Sequence, residues 1–243
     1  MIYTCTTNPS LDYFIRVPNL NLGDDLRSTH EAIFAGGKGV NVSIVLNNME
    51  IPSVCLGFLG GFTKDYFLSF LTRYKCIQPL FTSIEDHTRI NVKIIHDDNE
   101  TDINAKGPHI SDEEFEKFKV RLNKIYTDDY FVLSGNVEDE IKDKMIDVLH
   151  DLSKDGVKII LDCEQDINEA CLDTKIFAIK LNNNNAPEDI EEYAYKLLDS
   201  GVENVIYSAP NSVNYIFTKD SKISCDSFKN DLVNVTGTAD SLH

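Results

Sequence analysis

The sequence predicts an α/β fold, a parallel sheet flanked by helices with a smaller sheet set apart from it. Three observations carry this. Short β-branched or apolar runs alternate with longer segments of helical period, the pattern of consecutive αβ units. Two segments, about 12–34 and 87–104, break that rhythm. The chain has 243 residues, 42% of them hydrophobic, which suffices for one substantial core.

The expected strands are residues 2–6, 53–58, 129–134, 157–162 and 203–208. Between them, Val40, Val42, Ile44, Val45 and Met49 mark one helix, and Phe67, Leu68, Phe70 and Leu71 another. The clearest helix runs from Ser111 to Tyr126. There Ser111 and Glu114 form a capping-box pattern, and Phe115, Phe118, Leu122 and Ile125 recur on one face. Ile141, Met145, Leu149 and Leu152 repeat the helical spacing. In the interrupting segments, Thr88 to Lys93 alternates polar and apolar side chains with period two, as in a strand with one wet face. A small antiparallel sheet here is expected to act as a lid.

Lys and Arg total 23 against 40 Asp and Glu, a formal charge of −17. That argues against a duplex nucleic acid partner, which needs clustered cations. An anionic substrate would have to be held by a few local cations working against the global field. No stretch approaches the roughly 20 apolar residues that span a bilayer, and Met1 leads directly into the strand-like Ile2 to Thr6, so a cytoplasmic protein is expected. The six cysteines show no CxxC pairing, which points to reduced, mostly buried thiols and away from a zinc or redox site.

Ala35-Gly36-Gly37-Lys38-Gly39-Val40-Asn41 precedes a helix. Its glycines either cap the helix with a turn or let backbone N–H groups approach an anion or sugar hydroxyl. The wider constellation bears on that choice. Asn8-Pro9-Ser10-Leu11-Asp12, Gly36 to Asn41, Gly57-Phe58-Leu59-Gly60-Gly61, Thr88-Arg89-Ile90-Asn91 and Glu100 to Asn104 follow one another in the order and spacing of a known family. The chain resembles the ribokinase-like (PfkB) carbohydrate kinases, in the branch of 1-phosphofructokinase and tagatose-6-phosphate kinase. The resemblance covers nearly the whole chain and is most specific up to about residue 135.

What the resemblance implies is a single three-layer αβα Rossmann-like domain over residues 1–243, with a β-sheet lid that often makes a homodimer interface. It implies an ATP-dependent, Mg²⁺-using kinase that converts a ketohexose phosphate to a bisphosphate; fructose 1-phosphate, tagatose 6-phosphate and fructose 6-phosphate are its candidate substrates. Asp12 and Asn41 match the positions that bind sugar hydroxyls, and Gly36 and Gly37 the backbone that lies against the sugar. A carboxylate and an amide suit neighbouring hydroxyls, since one accepts and the other both accepts and donates. Arg89 matches the cation for the phosphate already on the substrate, with Lys38 and Arg27 as further candidates, although Arg27 reads equally well as a solvated surface charge. An arginine fork suits phosphate oxygens. Ser134-Gly135 matches a strand-end turn, with Asn136 in place of the usual Ser.

On the nucleotide side, Lys180, Asn182, Ser208 and Thr238 are the implied contacts. Gly237-Thr238-Ala239-Asp240 stands where the family has Gly-Ala-Gly-Asp. There Asp240 would be the base that deprotonates the attacking hydroxyl, and the backbone around Gly237 the anion hole. Departures gather on this side. Ala239 replaces a glycine, Leu181 a proline and Asn185 a magnesium-linked glutamate, while Ser208 to Val213 lacks the glycines of a phosphate turn and carries Pro210. The sequence ends at His243, short of the usual family length. A sugar-phosphate binding protein with an eroded ATP site is therefore the alternative function.

Overall fold

The computed structural model describes residues 1–97, 99–182, 189–208 and 213–226. In chain order its elements begin β1 (Ile2–Thr6), β2 (Ser10–Val17), β3 (His30–Gly36), α1 (Lys38–Asn48), β4 (Ser53–Gly60), α2 (Gly61–Leu71), β5 (Ile77–Pro79) and β6 (Thr82–Ile84). They continue with β7 (Arg89–His96), β8 (Asn99–Ile103), α3 (Asp112–Leu122), β9 (Tyr130–Ser134), α4 (Asp139–Lys154) and β10 (Lys158–Asp162). Then follow α5 (Gln165–Ala170), β11 (Ile176–Asn182), α6 (Ile190–Asp199), β12 (Asn204–Ser208), β13 (Val213–Phe217) and β14 (Lys222–Asp226).

The larger sheet has the order β14-β13-β12-β11-β10-β9-β1-β4-β5, with β6 also on β4. From β12 to β5 and β6 its pairings are parallel, and β13 and β14 add an antiparallel edge. Strands buried on both faces read as continuous apolar runs, and every residue of Ser53–Gly60 in β4 is buried. Successive side chains of a strand leave by opposite faces. Accordingly Val54, Leu56 and Phe58 join one core with α3, α4 and α6, whereas Cys55 and Leu59 join a second with α1 and α2. Helices on both faces of a mostly parallel sheet make the three-layer αβα sandwich.

The strongest local signal behaves as its chemistry requires. Ser111 Oγ accepts from Glu114 N–H and the Glu114 carboxylate accepts from Ser111 N–H, closing the capping box. Phe115 and Phe118 then pack on Phe58, Phe118 at a ring separation of 4.9 Å, and each such burial stabilises by about 1.5–3 kcal/mol. The helix stops at Leu122, four residues before the expected Tyr126, because Ile125 N–H turns back onto the Leu122 carbonyl. Strands β5, β6, β11, β13 and β14 lie outside the expected set, and β11 is the longest of them. Its run Ile176 to Leu181 is almost wholly buried, but Lys180 interrupts the apolar pattern and disguises it.

The second sheet has the order β3-β2-β7-β8, with β2 and β7 parallel and the outer pairs antiparallel. It is much less buried, and all of β8 is exposed. Its β2 begins just past the end of β1, so the small sheet rises from the carboxyl end of the large one. Cys5, Cys55, Cys163 and Cys171 are buried free thiols, while Cys76 is half-buried and Cys225 exposed. Burial pushes the Cys55 thiol up to about 11. Among the described residues no helix is long and apolar enough to cross a membrane.

Candidate functional site

Ligands of open α/β sheets sit outside the carboxyl ends of the parallel strands, and here those ends are polar. Ser134 of β9 lies opposite Asp162 of β10, and Asn182 of β11 opposite Ser208 of β12. Several buried polar atoms in this region have no hydrogen-bond partner among the described residues: Thr6 Oγ1, Asn8 Oδ1, Ser134 Oγ and Arg89 Nε. Buried polar groups are nearly always satisfied, so a run of orphans at strand ends marks a place built for water or ligand.

At the junction of the two sheets, Ser10 pairs with Gly36 on one side and with Arg89 on the other. Asp12, two residues on, is half-buried on the same face. Its Oδ1 accepts from Ser10 Oγ at 2.8 Å and from Asn91 Nδ2 at 2.9 Å. A Cβ on Gly36 would lie 2.5 Å from Asp12 Oδ2, so only glycine leaves room for that oxygen. Gly37 has φ 131°, and a Cβ there would meet Thr6 Cγ2 at 2.8 Å; both conformation and space demand glycine. Gly37 is the N-cap of α1, which has no side-chain cap and no acidic residue in its first turn. The helix thus presents uncapped N–H groups beside Asp12, an arrangement that favours an anion or hydroxyl. Asn41 is half-buried in that first turn.

Arg89 opens β7 and reaches back across the junction. Its Nη2 donates to the Asn8 carbonyl at 3.1 Å and its Nη1 to the Ala105 carbonyl at 3.3 Å. Both acceptors are neutral, so the guanidinium charge has no direct carboxylate partner among the described residues. Burial lowers its pKa, opposed by the fields of Asp12 and Glu138. Asn8 Nδ2 donates to Glu138 Oε1, which anchors the acceptor that Arg89 uses. A half-buried, incompletely paired guanidinium beside a carboxylate and a helix N-terminus can grip a phosphate on a polyhydroxylated molecule.

The structure does not bring Arg27 to this cluster. Arg27 is exposed in the connection between β2 and β3, beyond the Arg16–His30 pair. Ser10 and Gly36 close the other end of that hairpin, roughly 20 Å away at about 3.3 Å per strand residue.

Lys38 belongs to both halves of the site. Its Nζ lies 3.5 Å from Asp162 Oδ1, while Lys180 Nζ lies 3.3 Å from Asp162 Oδ2. Asp162 and Lys180 are both 0% exposed. Two lysines thus share one carboxylate and leave an excess of positive charge at the strand ends. Asp162 escaped the sequence reading. The usable signal was a carboxylate closing the apolar run Ile159-Ile160-Leu161, since an ionised group at the end of a core strand requires a partner. Ser10, Asn91 and Glu138 were missed too, because their roles arise only from cross-strand and cross-sheet contacts. Asn182 is half-buried and Ser208 buried at the ends of β11 and β12. Asn185, Gly237, Thr238, Ala239 and Asp240 lie outside the described residues, as does the 209–212 part of the altered phosphate turn.

Comparison with known proteins gives a family and a fold. The model of the pfkB family carbohydrate kinases matches residues 6–243. The chain is 34% identical to the 1-phosphofructokinase of Bacillus subtilis, over all of this chain and 83% of that one. Its fold is similar to that of phosphofructokinase-2 from Escherichia coli in complex with substrates and products: the TM-score is 0.92 at 21% identity, over 99% of this chain and 83% of the other. Ribokinase from Thermotoga maritima is similar at a TM-score of 0.77 and 17% identity, over 99% and 82% of the two chains.

Proposed function

Because the chain belongs to the pfkB family of carbohydrate kinases, we propose that it is an ATP-dependent kinase that converts a ketohexose phosphate to the bisphosphate. The single observation that carries this reading is the junction of Asp12, Gly36, Gly37, Lys38 and Arg89, which sets hydroxyl-binding groups beside a half-buried, incompletely paired guanidinium. Fructose 1-phosphate is the first candidate substrate, on the similarity to a 1-phosphofructokinase.

In this reading Asp12 and Asn41 bind and orient sugar hydroxyls, the backbone at Gly36 and Gly37 lies against the sugar, and Arg89 and Lys38 hold its phosphate. Lys180, Asn182, Ser208 and Thr238 face the nucleotide. The Lys38–Asp162–Lys180 cluster supports that assignment, because its excess positive charge suits phosphates. Asp240 takes the proton from the attacking hydroxyl, and backbone N–H groups near Gly237 receive the developing charge. Mg²⁺, when bound, would neutralise phosphate charge, held through phosphate oxygens and waters.

We read the small sheet as a lid and as the contact with a second copy of the chain. Ile33, Tyr13, Val92 and Ile103 form one row across its four strands, on the face opposite Asp12. Ile33 and Ile103 are exposed, an apolar row that a partner sheet would cover. A cytoplasmic enzyme fits this picture.

The test is ATP consumption by the purified protein with Mg²⁺ and each of fructose 1-phosphate, fructose 6-phosphate and tagatose 6-phosphate, alongside calorimetric binding of each sugar phosphate. Turnover with one of them, abolished by Asp240→Asn while sugar-phosphate binding survives, is the expected result. Binding without turnover would favour the eroded-site alternative, which the altered residues Leu181, Asn185 and Ala239 support. The absence of both binding and turnover would overturn the proposal.

A further inference from the structure

We propose that Asn91 is a positioning residue that sets which Asp12 oxygen faces the sugar and couples that carboxylate to the grip of Arg89, an inference that rests on the sugar-phosphate reading. Asn91 is 6% exposed and sits directly across from Asp12 in the parallel β2–β7 pair. Its Nδ2 donates to Asp12 Oδ1 at 2.9 Å, and its Oδ1 accepts from Ala105 N–H at 3.2 Å. A carboxylate on one side and an N–H on the other leave the amide a single orientation, since a flip would oppose two acceptors and two donors.

The consequence falls on Asp12. Its Oδ1 already receives Ser10 Oγ and Asn91 Nδ2, whereas Oδ2 has no hydrogen-bond partner among the described residues and lies beside Gly36. The free oxygen therefore points toward the glycines. The same residue also serves Arg89, because Ala105 gives its N–H to Asn91 and its carbonyl accepts from Arg89 Nη1. Asn91 and Arg89 are two residues apart on one face of β7. Through Ala105, a shift of the Asn91 amide moves the hydroxyl grip and the phosphate grip together.

Asn91→Asp separates positioning from mere packing, since it keeps the shape and the acceptor for Ala105 but turns the donor into a carboxylate facing Asp12. Two carboxylates in contact share a proton once the pH is low enough, and that proton restores the O–H donor. Other charged groups around Asp12 are Arg89 and Lys93 of β7, Lys93 being paired with Glu100 and Asp102 of β8, Lys38 at the start of α1, and Glu138 ahead of α4; β3 presents Phe34 and Gly36. They are common to wild type and variant, so the ratio of the two KM values isolates the new pair.

At pH 8 the KM for the ketohexose phosphate is expected to rise about ten- to hundredfold, with kcat and the KM for ATP changed far less. The ratio of variant to wild-type KM should then fall as the pH is lowered to 6. Asn91→Ser, which breaks both hydrogen bonds and adds no titrating group, should raise KM with no such pH dependence. It also keeps the inference testable if the aspartate variant does not fold. A wild-type KM in either folded variant, or an aspartate-to-wild-type ratio that stays constant with pH, overturns the positioning role. Wild-type protein that binds no ketohexose phosphate by calorimetry overturns the sugar-phosphate reading itself, and the inference with it.

Discussion

The two halves of the site hold their charges in opposite ways. At the small-sheet junction, Asp12 and Arg89 are half-buried and are held by neutral partners, Ser10, Asn91, Asn8 and Ala105. At the strand ends of the large sheet, Asp162 and Lys180 are fully buried and hold each other. Neutral partners orient a charge without cancelling it, so the junction keeps an unspent carboxylate oxygen and guanidinium for a ligand. A buried ion pair is instead committed to the fold, because neither member can be left alone away from water. Polar residues in the first half therefore govern binding, and in the second half stability as much as chemistry.

That contrast can be broken most severely at Asp162. Asp162→Ala leaves the Lys180 ammonium uncompensated at full burial, and should destabilise the protein by about 3–5 kcal/mol, measured by urea unfolding. A loss below about 1 kcal/mol, the scale of an exposed pair, would mean that the cluster is solvated and the contrast false. Arg89→Ala should act the other way. It should cut kcat/KM for the sugar phosphate about ten- to a hundredfold while the urea midpoint moves little, because its partners are neutral. Equal losses in stability and in sugar-phosphate affinity would erase the distinction.

The smallest effect serves as a control outside both halves. Ser111→Ala should cost about 1 kcal/mol and leave kinetics untouched. Glu114 in the same box is pushed upward by burial, but hydrogen bonds from Ser111 and from Glu85 N–H outweigh this and hold it below its ordinary 4.5. A depressed folded-state pKa stabilises above the unfolded value and is lost as pH falls through the folded one. The stability gap between wild type and Glu114→Gln should accordingly be full near neutrality and close below about pH 4.5. A gap that widens on acidification would contradict this sign.

Legibility in the sequence followed the range of the interaction. The helix at Ser111 could be read because a capping box and an apolar stripe are local, although its end could not, since the turn at Ile125 carries no strong breaker. Strands β1, β4, β9, β10 and β12 were legible as apolar runs, whereas β11 was hidden by Lys180, a charge that makes sense only beside Asp162 from the neighbouring strand. In the same way Asp12, Gly36, Gly37, Lys38 and Arg89 were named from their motifs, and the structure gathers them at one junction. Arg27, chosen for proximity in sequence, lies at the far end of its hairpin because chain neighbours separate along an extended strand.

By itself, then, the sequence determined the α/β class and the capped helix, since periodicity and capping act within a few residues, and its resemblance to a family supplied the residues at the junction. Only the tertiary structure decided that Asn91 orients Asp12, that Asp162 joins Lys38 to Lys180, and that Arg89 rests on Asn8 and Ala105. Those contacts join residues from 16 to 124 positions apart in the chain, with Asn91 and Asp12 79 apart and Arg89 and Asn8 81 apart. No local pattern encodes them: which charges meet depends on strand order and register, and those follow from burying both faces of the large sheet at once.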